Sequence, residues 1–419
     1  MNKLVSAVLA AVLMLAGANT VFAQKTVDEL LNGVQITPSA MIRYQSGNPV
    51  IMENENGDPE NVGQRGALNA MVNIDFTKEF EGGAVVFLGF EYGANTQEGG
   101  SNEGVPISAW SDLGGYAAQP MESIAEFHVT QPLFDDKVSV TFGKFFVRAF
   151  LSENEVSEDF ESIIFNEDKL YIGILNADLD TLYGGAVKVS PLEYIDNSYQ
   201  YQVNDIDKFG WDYNAVELTF KLPVKGNEGN YRIGYWQNNA AGLKKIEKVN
   251  DDKDGLEYGD RVSASGLAID IDQKIIEGIT FFGKYSMPIT EAGSDDYYEY
   301  EYNNQYAIFG LGFIVNGAFW SRADDSLGIG FGQVSLTGKA ADLKIIDSKS
   351  NEENNYKPET HFEFYYNFKV SDALSLIPSI EYIGNPEGGS LIDPKATDPN
   401  KDSYIDSVFV FSIRAAISF

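Results

Sequence analysis

Residues 409–419 read FVFSIRAAISF, and the pattern of this stretch decides the fold. Phe409, Phe411, Ile413, Ala415, Ile417 and Phe419 take the odd positions, with Val410, Ser412, Arg414, Ala416 and Ser418 between them. Successive side chains of a strand point to opposite faces, so this strand has one apolar face and one face that carries its polar groups. It runs to a terminal aromatic residue, which raises the question of what such a strand would close.

The same period recurs upstream. Leu68, Ala70, Val72, Ile74 and Phe76 alternate with Asn69, Met71, Asn73, Asp75 and Thr77. Phe362, Phe364, Tyr366, Phe368 and Val370 alternate with Glu363, Tyr365, Asn367 and Lys369. Leu327, Ile329 and Phe331 alternate with Gly328 and Gly330. Strands are expected at 34–47, 67–77, 83–93, 123–133, 137–146, 182–190, 198–203, 215–223, 230–238, 263–274, 279–287, 305–315, 325–336, 361–371, 374–384 and 408–419.

The connections say more than the strands. Tight ones fall at 78–83, 134–137, 191–197, 224–229, 275–279 and 370–374, and 316–324 takes a short slot. Long, acidic ones fall at 48–66, 94–122, 147–181, 239–262, 288–304, 337–360 and 385–407, and the moderate connection 204–214 takes a long slot. Short and long alternate, which is the rhythm of an antiparallel meander with short periplasmic turns and long external loops. The expected fold is an all-β transmembrane barrel of about 16 strands, in the range for bacterial outer-membrane barrels. Closure removes every sheet edge, so the final strand would present its aromatic face to lipid and Ser412, Arg414 and Ser418 to a wet lumen. A large soluble sandwich or solenoid also alternates, but it needs no short and long rhythm.

The bulk composition agrees. Residues 1–23 carry one cation, Lys3, an apolar run from Leu4 to Ala16, and Val21-Phe22-Ala23 ahead of Gln24. This reads as a secretory signal peptide, leaving residues 24–419 as the barrel. There is no cysteine, and the fold must hold without disulfides. The formal charge of −32 excludes nucleic acid as a partner. With 27 Phe, 23 Tyr, 4 Trp and 40 Gly, the chain is β-rich rather than disordered.

LGFIVNGAFWSRADDSLGIGFGQVSL (311–336), ETHFEFYYNFKVSDALSLIPSIEYIGNPEGG (359–389) and the closing FVFSIRAAISF are similar to the C-terminal third of the carbohydrate-selective outer-membrane porins (OprB type). FGKFF (142–146) and YRIGYW (231–236) add to the resemblance. It implies a 16-stranded, sugar-permeable barrel in the bacterial outer membrane. Glu381 stands where the family usually has Gln, and Ser412-Ile413-Arg414 where it has Gly-Leu-Arg.

Candidate sites follow from this frame. Arg322, Asp324 and Asp325 are either a solute cluster or a network that pins a periplasmic turn, and the turn count favours the pin. Trp320 beside them reads as an interfacial belt residue. The loop 147–181 would be the third external loop, and it sets Arg148 against Glu153, Glu155, Glu158, Asp159 and Glu161. Opposed charges at a constriction select solutes, while the plainer reading is a solvated acidic loop. Glu363, Tyr365, Asn367, Glu381 and Arg414 are lumen residues by alternation, either sugar-contacting or ordinary polar lining.

No catalytic residue, metal or cofactor is expected. His128 and His361, the only histidines, both face the lumen by alternation and read as ordinary lining, and no nucleophile motif or metal-type His spacing accompanies them. Asn250, Asp252, Asp254 and Gly255 fit a calcium loop, but Arg261 stands where the bidentate Glu belongs. The acidic stretch 295–302 could gather divalent cations near lipopolysaccharide. The expected function is passive diffusion of small hydrophilic solutes, carbohydrates first. The alternative is a general porin whose acidic excess prefers cations. An adhesive role for the long loops is the third reading. The expected partners are outer-membrane lipid, lipopolysaccharide and small sugars, with a homotrimer as the assembly usual for porins of this size.

Overall fold

The computed structural model of the protein describes residues 33–47, 52–53, 59–60, 67–95, 123–146, 150–151, 155–162, 164–165, 181–204, 211–245, 258–289, 306–337, 344–346, 353–389 and 404–418. The expected signal peptide, Phe419, most of the calcium-like stretch and residues 295–302 lie outside these.

Sixteen strands form one closed antiparallel barrel. They are β1 (Val34–Gly47), β2 (Ala67–Glu79), β3 (Val85–Asn95), β4 (Ser123–Leu133), β5 (Val138–Phe146), β6 (Thr181–Leu192), β7 (Ile195–Asn204) and β8 (Trp211–Lys221). The second half is β9 (Gly229–Lys245), β10 (Tyr258–Ile276), β11 (Ile279–Pro288), β12 (Tyr306–Asn316), β13 (Ser326–Leu336), β14 (Glu359–Ser371), β15 (Leu374–Gly384) and β16 (Ser407–Ser418). Each strand pairs with its sequence neighbours, and β1 pairs with β16 from Ser39 opposite Ser418 to Gly47 opposite Val410. Two short ribbons, Met52–Glu53 with Pro59–Glu60 and Lys344–Ile346 with Glu353–Asn355, lie in the long connections.

The final strand behaves as its pattern requires. Phe409, Phe411 and Ile413 are exposed on the outer surface, while Val410 and Ser412 are buried inside. On β14, Phe362, Phe364 and Phe368 face out, and His361, Glu363 and Tyr365 face in. An apolar outer face suits hydrocarbon, and closure gives every barrel strand a hydrogen-bonded neighbour on both sides. Phe80, Phe134, Leu192, Tyr194, Leu222 and Phe319 cluster at the short-turn end, all exposed. Large apolar and aromatic side chains at that level form the girdle of one membrane interface.

The turn expected over residues 191–197 is shorter than the sequence suggests. Leu192 pairs with Ile195, so Glu193 and Tyr194 alone make the bend. Asp196 and Ser198 are polar because they face inward and are buried there, not because they belong to a loop. The connection at 316–324 contains a 3-10 turn, Gly317–Trp320, capped by Asn316, whose side-chain oxygen accepts from the Ala318 N–H at 2.8 Å.

Candidate functional site

After β5 the chain turns into the barrel. Its described residues there include a 3-10 turn, Glu155–Ser157, followed by Phe160, Glu161, Ser162, Ile164 and Phe165, all buried. An acidic segment stays inside only if its polar groups find partners and its apolar groups find a floor. The floor is the inner face of β11–β14. The Phe160 ring centroid lies 4.8 Å from that of Tyr365 and 5.2 Å from that of Phe282.

Gly310, Gly330 and Gly332 make room on this floor. A Cβ on Gly330 would stand 2.9 Å from the rings of Phe160 and Phe165, and one on Gly332 would stand 2.5 Å from Ile164 Cγ2. On the small face of β13, Gly330 and Gly332 lie under the loop and Gly328 lies under the Tyr365 ring.

The polar half of the seat uses β14, β15, β16 and β1. Glu363 accepts from two consecutive backbone groups, the N–H of Glu161 at 2.8 Å and the N–H of Ser162 at 2.9 Å. Hydrogen bonds to a charged acceptor are worth about 1.5–3 kcal/mol each. Asn367 donates to Asp159 Oδ2 at 2.8 Å, and Arg414 donates to the Asp159 carbonyl at 2.7 Å. Register sets Arg43 directly opposite Arg414, a repulsive pairing. Glu161 stands between them, bonded to Arg43 at 2.9 Å and 3.7 Å from Arg414 Nε.

Glu363 and Glu381 are likewise register partners. The loop amides take the first, and His361 Nδ1 meets Glu381 at 2.6 Å. His361 Nε2 meets Glu359 at 2.8 Å, and Ser162 Oγ lies 3.5 Å from Nδ1. Both ring nitrogens therefore lie against carboxylates, and neither is open to serve Ser162 as a base. His128 stacks on Phe87 with centroids 5.0 Å apart. Among the described residues no group of three or more His, Cys, Asp and Glu side chains could hold a metal ion.

Of the residues singled out in the sequence, Asp159, Glu161, Glu363, Tyr365, Asn367, Glu381 and Arg414 meet at this seat. Glu155 opens the 3-10 turn, while its side chain, Arg148 and Glu153 lie outside the described residues. Sequence reasoning did not single out Arg43, Glu359 or Phe282 and read His361 as plain lining. The parity of inward positions on β1, β11 and β14 carried the signal for all four.

Arg322 and Asp325 sit in the short turn between β12 and β13. Arg322 donates from Nε to Asp325 Oδ2 at 2.5 Å and from Nη2 to the Lys369 carbonyl at 3.0 Å. Its guanidinium lies 4.2 Å from the Phe368 ring centroid. Trp320 donates to the Tyr366 hydroxyl at 2.9 Å, and that hydroxyl donates to Asp325. The Arg322 hydrogen bond holds the Asp325 carboxyl down at about 2, and the same bond raises Arg322. Asp324 is exposed on the same turn.

A second part of the lumen is open. A cavity of about 320 Å³ is lined by inward residues of β6–β10 and by Val156 of the loop. Arg232 meets Asp272 at 2.6 Å, and Lys221 meets Asp196 at 2.6 Å.

A closed sixteen-strand barrel, oily outside and polar within, with a loop seated in its lumen, is the architecture of an outer-membrane porin. The chain belongs to the carbohydrate-selective porin, OprB family, whose model matches residues 90–419. It is 25% identical over 206 residues to Porin B of Pseudomonas aeruginosa, covering 42% of this chain and 42% of that protein. The chain thus spans less than half the length of that curated relative in the match. The high-pH structure of Pseudomonas putida OprB superposes with a TM-score of 0.67 at 16% identity, covering 94% of this chain and 96% of that one. A loop-deleted OmpT, an outer-membrane protein of Vibrio cholerae, superposes with a TM-score of 0.50 at 11% identity, covering 92% and 99%. The protein resides in the bacterial outer membrane.

Proposed function

We propose that the protein is a passive porin that lets small hydrophilic solutes, carbohydrates first, cross the outer membrane down their gradients. The observation that carries this reading is the seated loop. It narrows the lumen, and its bonds to Glu363, Asn367, Arg43 and Arg414 hold the narrowing at a set width. Alternating strand residues then line the remaining passage with polar groups. The process needs no cofactor and no energy input. The porin family and the closed barrel support a channel rather than an enzyme.

Residues 1–23 direct export and are removed. Outer-membrane lipid and lipopolysaccharide surround the barrel, and small sugars are the solutes that pass through it. Asp324 and the bonded pair Arg322–Asp325 belong to a structural turn and take no part in solute selection.

Liposome swelling with neutral sugars, together with planar-bilayer conductance, tests the reading. Swelling and a stable conductance are expected, and a protein that does neither is not a porin. A general cation-preferring pore is the second reading, favoured by the formal charge of −32. Reversal potentials in a salt gradient separate the two, because strong cation preference without any sugar effect selects the second.

A further inference from the structure

The open cavity has a composition unlike that of the chain as a whole. Its lining pairs Arg232 with Asp272, Lys221 with Asp196, and Thr219 with Glu217, the last through a 3.0 Å hydrogen bond. Lys188 brings a third cation to the lining, and Asn230 donates to Asp272 Oδ2 at 2.7 Å. Three cations therefore face three carboxylates on the lining, and behind it Asp270, 3.8 Å from Arg232, is the register partner of Lys284, in a protein whose acidic residues outnumber basic ones 62 to 30. The excess acid lies elsewhere.

The place of this wall is also set. Asp196 follows the bend between β6 and β7, Lys221 ends β8, and Asn230 stands second in β9. The cavity thus occupies the short-turn half of the barrel, bordered by Val156 of the inward loop. Its volume of about 320 Å³ falls at the lower end of the ~300–1,000 Å³ typical of small-molecule sites.

We propose that this charge-balanced wall is a transit subsite for neutral polyhydroxylated solutes and discriminates against ions of either sign. The proposal rests on the porin reading and assigns it a place and a chemical basis. A hydroxyl both donates and accepts, so it adds a bond to a carboxylate and to its partner cation without separating them. An entering cation or anion has to compete with charges already paired, and separating the buried Arg232–Asp272 pair is costly, whereas Lys221 of the half-exposed Lys221–Asp196 pair stays in water. The planar guanidinium of Arg232 and the planar amide of Asn230, meeting at Asp272, set several donors and an acceptor at fixed angles.

The test uses the whole barrel in planar bilayers, with D-glucose, D-glucosamine and D-gluconate as probes of ion current. Glucose is expected to interrupt the current most strongly. Glu217→Gln and Lys221→Gln should each weaken glucose block by about fivefold to tenfold. Their reversal potentials should move in opposite directions, Glu217→Gln toward anions and Lys221→Gln toward cations. Thr219→Val, which alters no charge, should weaken glucose block and leave the reversal potential in place. If the variants keep the glucose block of the parent, or the charged probes block as well as glucose, the subsite is refuted and the porin reading stands. A parent protein that conducts no ions refutes both.

Discussion

Replacing Phe160 by Ala isolates what holds the loop inside the barrel. Phe160 is 1% exposed and packs on Phe165, Phe282 and Tyr365 with ring centroids 5.0, 5.2 and 4.8 Å away. Truncating a phenylalanine in such packing costs about 3–5 kcal/mol. Phe160 belongs to no ladder, so this loss falls on the seating of the loop and not on strand pairing. At about 1.4 kcal/mol per factor of ten, the seated population falls relative to the released one by between roughly a hundredfold and a few thousandfold.

The Glu363 clamp remains one residue away and keeps the loop tethered, so the channel flickers rather than standing open. Single-channel recordings of Phe160→Ala should show several conductance levels where the parent shows one. The temperature at which the folded barrel loses its compact migration in gels should hardly move. A variant with one steady level at the parental value would refute the reasoning. So would a fall in barrel stability by the full amount.

Glu363→Ala removes the acceptor of both loop amides, and added protease should then cut within residues 155–165 while the barrel stays intact. Glu161→Gln removes the negative charge that stands between Arg43 and Arg414, so the reversal potential in a potassium chloride gradient should move toward anions. Ile413→Arg sets a charge on the lipid face of β16, where the cost is about 2–4 kcal/mol at mid-membrane; the yield of folded barrel should fall, whereas Ile413→Val should fold as the parent does. The Asp325 carboxyl is held at about 2 against an ordinary 3.8. A lowered pKa stabilises the fold above the unfolded value, so this contribution is full above about pH 4 and is lost as the pH drops toward 2. Resistance of the 317–325 turn to an acid protease should decline over that range in the parent, and Asp325→Asn should have no such decline.

The outer surface was legible because lipid enforces a strict period of two, as in Phe409, Phe411 and Ile413. The turn rhythm was legible because tight bends on one side need few residues. The inner surface was harder to read. Asp196 and Ser198 look like loop residues until the lumen is seen to be their environment. Gly330 and Gly332 look like mere spacing until Ile164 and Phe165 are laid against them. Alternation placed Glu363, Asn367, Glu381 and Arg414 on the inner wall, and the loop sequence brought up Asp159 and Glu161. Their meeting depends on contacts spanning up to 255 positions, such as Arg414 with Asp159, which no local pattern encodes. Arg43 was missed because a lone cation in β1 gives no sign that register will set it against Arg414.

That register has a consequence for biogenesis. The join between β1 and β16 unites the first and last strands of the barrel, so it can zip only after every strand between them has been delivered. Zipping it brings two guanidiniums abreast, and the carboxylates of Glu161 and Asp159 that meet them arrive on a segment lying between β5 and β6. Sealing the cylinder and seating the loop are therefore linked through Glu161, at the line where the first and last strands meet.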